Sequence, residues 1–281
     1  MTAYALFRLL RPRQWLKNLM IFFPPFLSGM ILKPEMIIVG VLPFAIFCCA
    51  SSATYIFNDL LDQEQDAHHP EKCHRPLPAG ELTRNAALFL AVLLLLPALL
   101  LSWRVSPLFL LYVVLYLAIS FAYSLRLKHM PIFDIFCIAF GFVLRLYGGG
   151  AAFGVYISDW LFLTVFLLSI FLSVGKRYSE KSSLGFLAVD HRPALNEYPE
   201  GFLDAAMYLS GAAVLVTYSI YAIDRPLMVY TVPLCLFGLL RYLMIIKSGG
   251  SGDPTDALTK DRLLLIIGII WGLMVGMSVY L

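Results

Sequence analysis

Nine runs of apolar residues, each close to the length of a membrane span, follow one another with little between them. They cover about 17–33, 36–57, 86–103, 107–123, 131–153, 159–175, 205–223, 226–246 and 263–281. A helix needs about 20 apolar residues to cross hydrocarbon, and only helices and closed barrels satisfy their backbone there. The expected fold class is therefore all-α: a polytopic bundle of nine transmembrane helices, forming a single domain over residues 1–281. The first run is the weakest, because Pro24-Pro25 must kink or break it. Composition agrees: 60% of residues are hydrophobic and 14% charged, where soluble domains have roughly 45–50% and about 25%.

Lys and Arg set the orientation. With the N-terminus cytoplasmic, the inner side carries sixteen, from Arg8, Arg11, Arg13 and Lys17 to Lys260 and Arg262, and the outer side only Lys33, Arg104 and Arg225. The C-terminus then lies outside. The inner loops 58–85, 176–204 and 247–262 are long and polar, so chemistry on a hydrophilic substrate is expected at that face. The N-terminus lacks the order of a signal peptide, and no soluble basic domain exists to bind nucleic acid. No internal repeat of the transporter kind is evident. Cys48, Cys49, Cys137 and Cys235 lie in apolar runs, while Cys73 sits near His68, His69 and His74 at a spacing that fits no standard zinc pattern.

The chemistry concentrates where the second run ends, in Asn58-Asp59-Leu60-Leu61-Asp62-Gln63-Glu64-Gln65-Asp66. A charge near hydrocarbon costs about 2.5–3.5 kcal/mol even on lenient insertion scales. On a continued helix, Asp59, Asp62 and Asp66 share one face at i, i+3 and i+7. A divalent cation relieves their mutual repulsion, and Mg²⁺ commonly bridges a few carboxylates to substrate phosphates. The three aspartates are the candidate catalytic and metal-binding residues, with Asn58 beside them.

Cations able to grip phosphate follow. Lys72 and Arg75 lie a few residues on; alone they read as a solvated topogenic loop, but beside the acids they read as a phosphate site. Arg11-Pro12-Arg13-Gln14-Trp15-Leu16-Lys17-Asn18 leads into the first run. It is either an interfacial anchor or a cavity mouth to which Lys17 and Asn18 contribute. Tyr123 and Lys128 flank a short inner turn, and Asp134 and Arg145 lie within the fifth run. Intramembrane charges are functional candidates or buried partners of one another. Lys176, Arg177 and Glu180 close the sixth run.

Several of these strings resemble the UbiA superfamily of intramembrane prenyltransferases. Asn58-Asp59-x-x-Asp62-x-x-x-Asp66 is similar to its first aspartate motif. The strings Arg11 to Asn18, His69-Pro-x-Lys72-x-x-Arg75-Pro76, Gly175-Lys-Arg-Tyr-x-Glu180, and Arg241-Tyr through Gly249-Gly, Pro254-x-Asp256 and Asp261-Arg262 resemble its decaprenyl-phosphate phosphoribosyltransferase branch, nearly end to end. The loop after the sixth run lacks the superfamily's second Asp-x-x-x-Asp motif.

The resemblance implies a nine-helix bundle with a cytoplasm-facing cavity in a bacterial inner membrane. It implies transfer of 5-phosphoribose from phosphoribosyl diphosphate (PRPP) to a polyprenyl phosphate, with Mg²⁺ as cofactor and diphosphate released. Asp59, Asp62 and Asp66 take the metal and diphosphate role. Lys17, Lys72, Arg75, Lys176 and Arg177 grip phosphate, with Asn18, Asn58, Tyr123, Lys128, Asp134, Arg145 and Glu180 as further substrate-binding candidates. The alternative within the superfamily is prenyl transfer from a prenyl diphosphate to an aromatic or other small acceptor. A transporter of a small anion is the rival from another class. A homo-oligomer is compatible with all of them.

Overall fold

The computed structural model describes residues 3–68, 72–184 and 193–281; His69 and Pro70 of the quoted string and Arg192, one of the sixteen inner-side cations, lie outside them. The described residues are helical or irregular, with no strand among them. In chain order the helices are α1 (Ala3–Leu9), α2 (Phe23–Leu27), α3 (Pro34–Leu61), α4 (Gln63–Ala67), α5 (Arg84–Val105), α6 (Pro107–Leu125) and α7 (Phe133–Phe153). Then come α8 (Asp159–Leu184), α9 (Pro193–Glu197), α10 (Phe202–Ile223), α11 (Val232–Lys247), α12 (Pro254–Lys260) and α13 (Arg262–Tyr280). Short 3-10 helices include Pro12–Phe22, Lys72–His74 and Leu127–His129.

Eight described helices are long and apolar enough to cross a membrane. The difference from nine lies in the first run. Residues 17–33 are built as the end of the 3-10 stretch Pro12–Phe22 followed by the five-residue α2. Pro24 and Pro25 supply no N–H, so one continuous α-helix cannot run through them. The other boundaries follow local chemistry. The Thr83 hydroxyl accepts the Ala86 N–H (3.3 Å) to start α5, and the Ser106 hydroxyl accepts the Phe109 N–H (3.0 Å) to start α6, whose first residue is Pro107. Gly154, in the left-handed region at φ 66°, ends α7.

The chain divides into two compact units, one of residues 1–25 and 30–156, the other of 26–29 and 157–281. In the first, Phe47, Phe109, Val113, Ile21 and Tyr116 form the core, with the Phe47 and Phe109 rings edge to face at 5.7 Å. A second cluster packs Ala5 and Leu9 of α1 with Leu77 and Leu82 around Ile56 and Leu60 near the end of α3. Small residues bring backbones together, as they do between membrane helices: a Cβ on Gly149 of α7 would lie 2.2 Å from the carbonyl oxygen of Ile21. In the second unit α8 packs along α10, and Phe171, Met207, Val214 and Val275 are buried.

Candidate active site

Arg11 begins the site. It precedes Pro12, whose ring disfavours the right-handed helical region for the residue before it, and Arg11 adopts φ 53°, ψ 58°. The chain turns there and runs back along α3. Ser52 Oγ donates to the Leu10 carbonyl (2.8 Å) and accepts from Trp15 Nε1 (3.0 Å). Asn18 Nδ2 donates to Ser51 Oγ (3.2 Å). This ladder brings the Arg11 guanidinium onto the Asp59 carboxylate, with which it forms an ion pair.

The acidic stripe does not continue as one helix. α3 ends at Leu61, Asp62 takes φ −92°, ψ 4°, and α4 starts at Gln63. The break divides the three aspartates into two groups. Asp59 (1% exposed) and Asp66 (3%) share Arg75, whose Nη1 lies 3.1 Å from Asp59 Oδ1 and 2.5 Å from Asp66 Oδ2. Lys72 Nζ stands 3.5 Å from Asp66. Asp62 instead pairs with the buried Lys128, and the Asn58 amide donates to it at 2.9 Å. Lys128 Nζ also reaches the Asn58 oxygen at 3.5 Å. Four cations thus face three carboxylates at the end of a membrane-length helix. Burial pushes the Arg75 guanidinium below the ordinary arginine value, the nearby Arg11 charge adds to that, and Asp59 and Asp66 oppose it.

Asn18 and Arg145 lie in the same unit and serve each other. Asn18 is fully buried and accepts from Arg145 Nε at 2.7 Å. Arg145 also donates to the Gly141 carbonyl (2.7 Å) and the Tyr116 hydroxyl (3.0 Å), with its guanidinium 4.5 Å from the Tyr116 ring centre. Lys17 and Tyr123 are half-buried, and Asp134 is fully buried in the first turn of α7.

Lys176, Arg177 and Glu180 belong to the second unit. Arg177, 1% exposed, pairs with Glu180 one turn on, and Lys176 Nζ lies 3.8 Å from Asp253. The loop after α11 is laced to this turn. Ser179 Oγ donates to the Gly250 carbonyl (2.9 Å), and the Tyr242 hydroxyl donates to the Gly252 carbonyl (3.0 Å). A Cβ on Gly252 would meet the Lys176 Cα at 2.6 Å, so the two strings singled out separately in the sequence form one packed element. Arg241 Nη2 donates to Asp261 (2.6 Å). That bond and the Leu264 backbone N–H hold the Asp261 carboxyl below the usual range.

Sequence reasoning overlooked Arg11 and Tyr116 as parts of these clusters, whereas Tyr242 and Asp253 lay within the string it singled out from Arg241 to Arg262. Arg11 stood in a quoted string, and its position before a proline was the available signal. Among the described residues no three His, Cys, Asp or Glu side chains converge as a metal cage. The donor set still suits a hard cation: Asp59 and Asp66 reach a common nitrogen, and Mg²⁺ is ordinarily held by one or two carboxylates with substrate phosphates completing its shell.

Comparison with known proteins converges on one family. The model of the UbiA prenyltransferase family matches residues 22–267. The decaprenyl-phosphate phosphoribosyltransferase of Mycolicibacterium smegmatis is 32% identical over 98% of this chain and 92% of its own length. The proteins of that name from Corynebacterium glutamicum and Mycobacterium tuberculosis are 30% and 31% identical, over 99% and 96% of this chain and 88% and 92% of their own lengths. Among solved structures, a UbiA homolog from Archaeoglobus fulgidus bound to DMAPP and Mg²⁺ superposes with a TM-score of 0.72 at 22% identity, covering 97% of this chain and 98% of that one. With its helices suited to a bilayer, the chain is a multi-pass membrane protein, and it belongs to the UbiA prenyltransferase family.

Proposed function

We propose that this chain transfers 5-phosphoribose from PRPP to the phosphate of a polyprenyl lipid and releases diphosphate. The observation that carries the reading is the cluster in which Arg11, Lys72, Arg75 and Lys128 meet Asp59, Asp62 and Asp66. Its likeness over nearly the whole chain to phosphoribosyltransferases of decaprenyl phosphate supports the choice of donor and acceptor.

In this reading the cluster exchanges partners. Arg11, Lys72, Arg75 and Lys128 turn from carboxylates to the phosphate oxygens of the donor. Asp59, Asp62 and Asp66 would hold Mg²⁺, which would supply the charge neutralisation that makes diphosphate a better leaving group. An oxygen of the acceptor phosphate forms the new bond to the anomeric carbon, while the bond from that carbon to the diphosphate breaks and its electron pair leaves with the diphosphate. Positive charge develops at the anomeric carbon, as in other glycosyl transfers. The acceptor is already an anion, so it needs positioning more than a base. Within the second unit, Lys176 and Arg177 are further phosphate-binding candidates. The excess of Lys and Arg in loops assigned to one side supports an active face on the cytoplasmic side of a bacterial plasma membrane, with the N-terminus there and the C-terminus outside.

The test gives purified protein two substrate pairs with Mg²⁺: labelled PRPP with polyprenyl phosphate, and labelled prenyl diphosphate with 4-hydroxybenzoate. Label in the lipid phosphate is expected from the first pair only. Label from the second pair alone would turn the reading to prenyl transfer. Flux across vesicles without diphosphate release would turn it to transport.

A further inference from the structure

The segment 72–82 carries Lys72 and Arg75, two of the four cations of the aspartate cluster, and within the first unit three parts of the chain fasten it. Leu77 and Leu82 are buried in one cluster with Ala5 and Leu9 of α1 and with Ile56 and Leu60 of α3. Gln63, the first residue of α4, donates its amide to the Leu77 carbonyl at 3.3 Å. The third fastener is Arg8, near the end of α1. Its Nη1 donates to the two Glu81 carboxylate oxygens at 2.9 Å and 3.2 Å, and its Nη2 donates to the His74 carbonyl. Gly80, at φ 70°, lets the segment double back: the Glu81 N–H meets the Pro76 carbonyl at 2.9 Å, and the Glu81 side chain comes within reach of Arg8.

Arg8 thus grips the loop near both of its ends from outside it. His74 immediately precedes Arg75, the residue that Asp59 and Asp66 share. A guanidinium is a planar, rigid fork, so the His74 carbonyl is fixed in direction as well as in place. Glu81 neutralises Arg8 where it stands, and the Tyr4 ring, one turn earlier, lies with its centre 5.7 Å from the guanidinium. The two side chains of the ion pair are 32% and 36% exposed, and a pair so open to solvent adds little to stability. Its use lies in geometry.

We propose that Arg8 is a positioning residue for the donor's diphosphate: by clamping the His74 carbonyl to Glu81, it fixes the backbone from which Arg75 swings off the aspartates onto a phosphate oxygen. The inference rests on the reading of Arg75 as a diphosphate grip and adds a residue that itself touches no substrate. Without the clamp the loop still packs through Leu77 and Leu82, but Arg75 reaches the diphosphate from a shifted origin.

The full-length protein in detergent with Mg²⁺ is titrated calorimetrically with inorganic diphosphate. Arg8→Met keeps the length of the stem and removes every donor. It should raise the Kd at least about tenfold, short of the roughly hundredfold that a displacement of about 1 Å can cost, with the thermal midpoint nearly unchanged. An unchanged Kd in the folded variant, or no binding by the parent, would overturn the proposal. Arg84→Met removes the same charge from the exposed first residue of α5 and should leave the Kd as it is. An equal rise in both variants would make Arg8 one more unit of attracting charge and overturn its positioning role. In an Arg75→Ala background, Arg8→Met should have no further effect; a rise that persists there would show that Arg8 does not act through Arg75, with the same consequence. Should Arg8→Met fail to fold, Glu81→Gln takes its place, because it removes the charge that anchors Arg8 and leaves the bond to His74. A smaller rise is then expected, lost in the same background, and no rise would overturn the proposal. In turnover, the KM for PRPP should increase in parallel and that for polyprenyl phosphate stay, whereas mere loss of folded protein lowers kcat and leaves both constants alone. A parent that binds diphosphate but does not use PRPP would sink the reading of the reaction, and the titration would still decide the clamp.

Discussion

Arg145 Nε stands 2.7 Å from Asn18 Oδ1, joining a residue of α7 to a 3-10 stretch 127 positions earlier in the chain. Asn18 in turn donates to Ser51 Oγ and Cys48 Sγ on α3. The guanidinium therefore ties three segments through one amide. Hydrogen bonds to a charged group contribute about 1.5–3 kcal/mol, and groups in one network couple. A double-mutant cycle of Asn18→Ala and Arg145→Met, followed by thermal unfolding in detergent, should give a coupling energy of about 1.5 kcal/mol or more. Simple additivity would mean that the two residues stabilise the fold separately.

Asp59→Asn and Asp62→Asn should differ in stability while agreeing in activity. Asp59 is buried against two guanidinium groups, whereas Asp62 is more exposed and faces one ammonium. Removing one member of a buried ion pair typically costs about 3–5 kcal/mol. Asp59→Asn is expected to approach the lower end of that range, and Asp62→Asn to cost under about 1 kcal/mol, as partly exposed pairs do. Both should lower diphosphate release by at least about a hundredfold, the order lost when a preorganised electrostatic group is removed. Full turnover in both folded variants would remove the metal role from the aspartates.

Two glycine-to-alanine changes should act in opposite directions. A Cβ on Gly149 meets backbone, the Ile21 carbonyl, which cannot swing aside. Overpacking of this kind costs about 1–3 kcal/mol or more. Gly238, inside α11, has nothing within 4 Å of the position its Cβ would take, so Gly238→Ala should stabilise by about 0.5–1 kcal/mol through helix propensity. Thermal midpoints of the two variants against the parent measure both.

His129 gives the fold a dependence on pH. Burial lowers its pKa below 6.5, the Lys128 charge lowers it further, and Asp62 opposes both. The folded state thus binds this proton less readily than the unfolded chain. Its contribution to stability is complete above pH 6.5 and is lost as the pH falls through the lower folded value. Thermal midpoints of the parent should drop across that window, and His129→Gln should reduce the slope there. An unchanged slope would assign the acid sensitivity to other groups.

Hydropathy located eight of the spans because length and apolarity in a bilayer are local properties. The departure at Pro24-Pro25 was legible for the same reason, since the missing N–H groups belong to the residues themselves. The aspartates were legible by their cost near hydrocarbon, but their grouping was not. The spacing of Asp59, Asp62 and Asp66 is compatible with one uninterrupted helix, and the break at Asp62 divides them between Arg75 and Lys128. Lys128 is 66 positions from Asp62, and Arg145 is 127 from Asn18. Such pairings depend on which helices become neighbours, which periodicity does not encode. Arg11 was hidden by its backbone: only the left-handed turn before Pro12 makes it a partner of Asp59.

Each aspartate of the patch has a basic side chain against it before any substrate arrives. Carboxylates neutralised by the protein's own side chains need no outside ion to screen them while the bundle packs in lipid. Any anion that enters must compete with those carboxylates for the same guanidinium and ammonium groups.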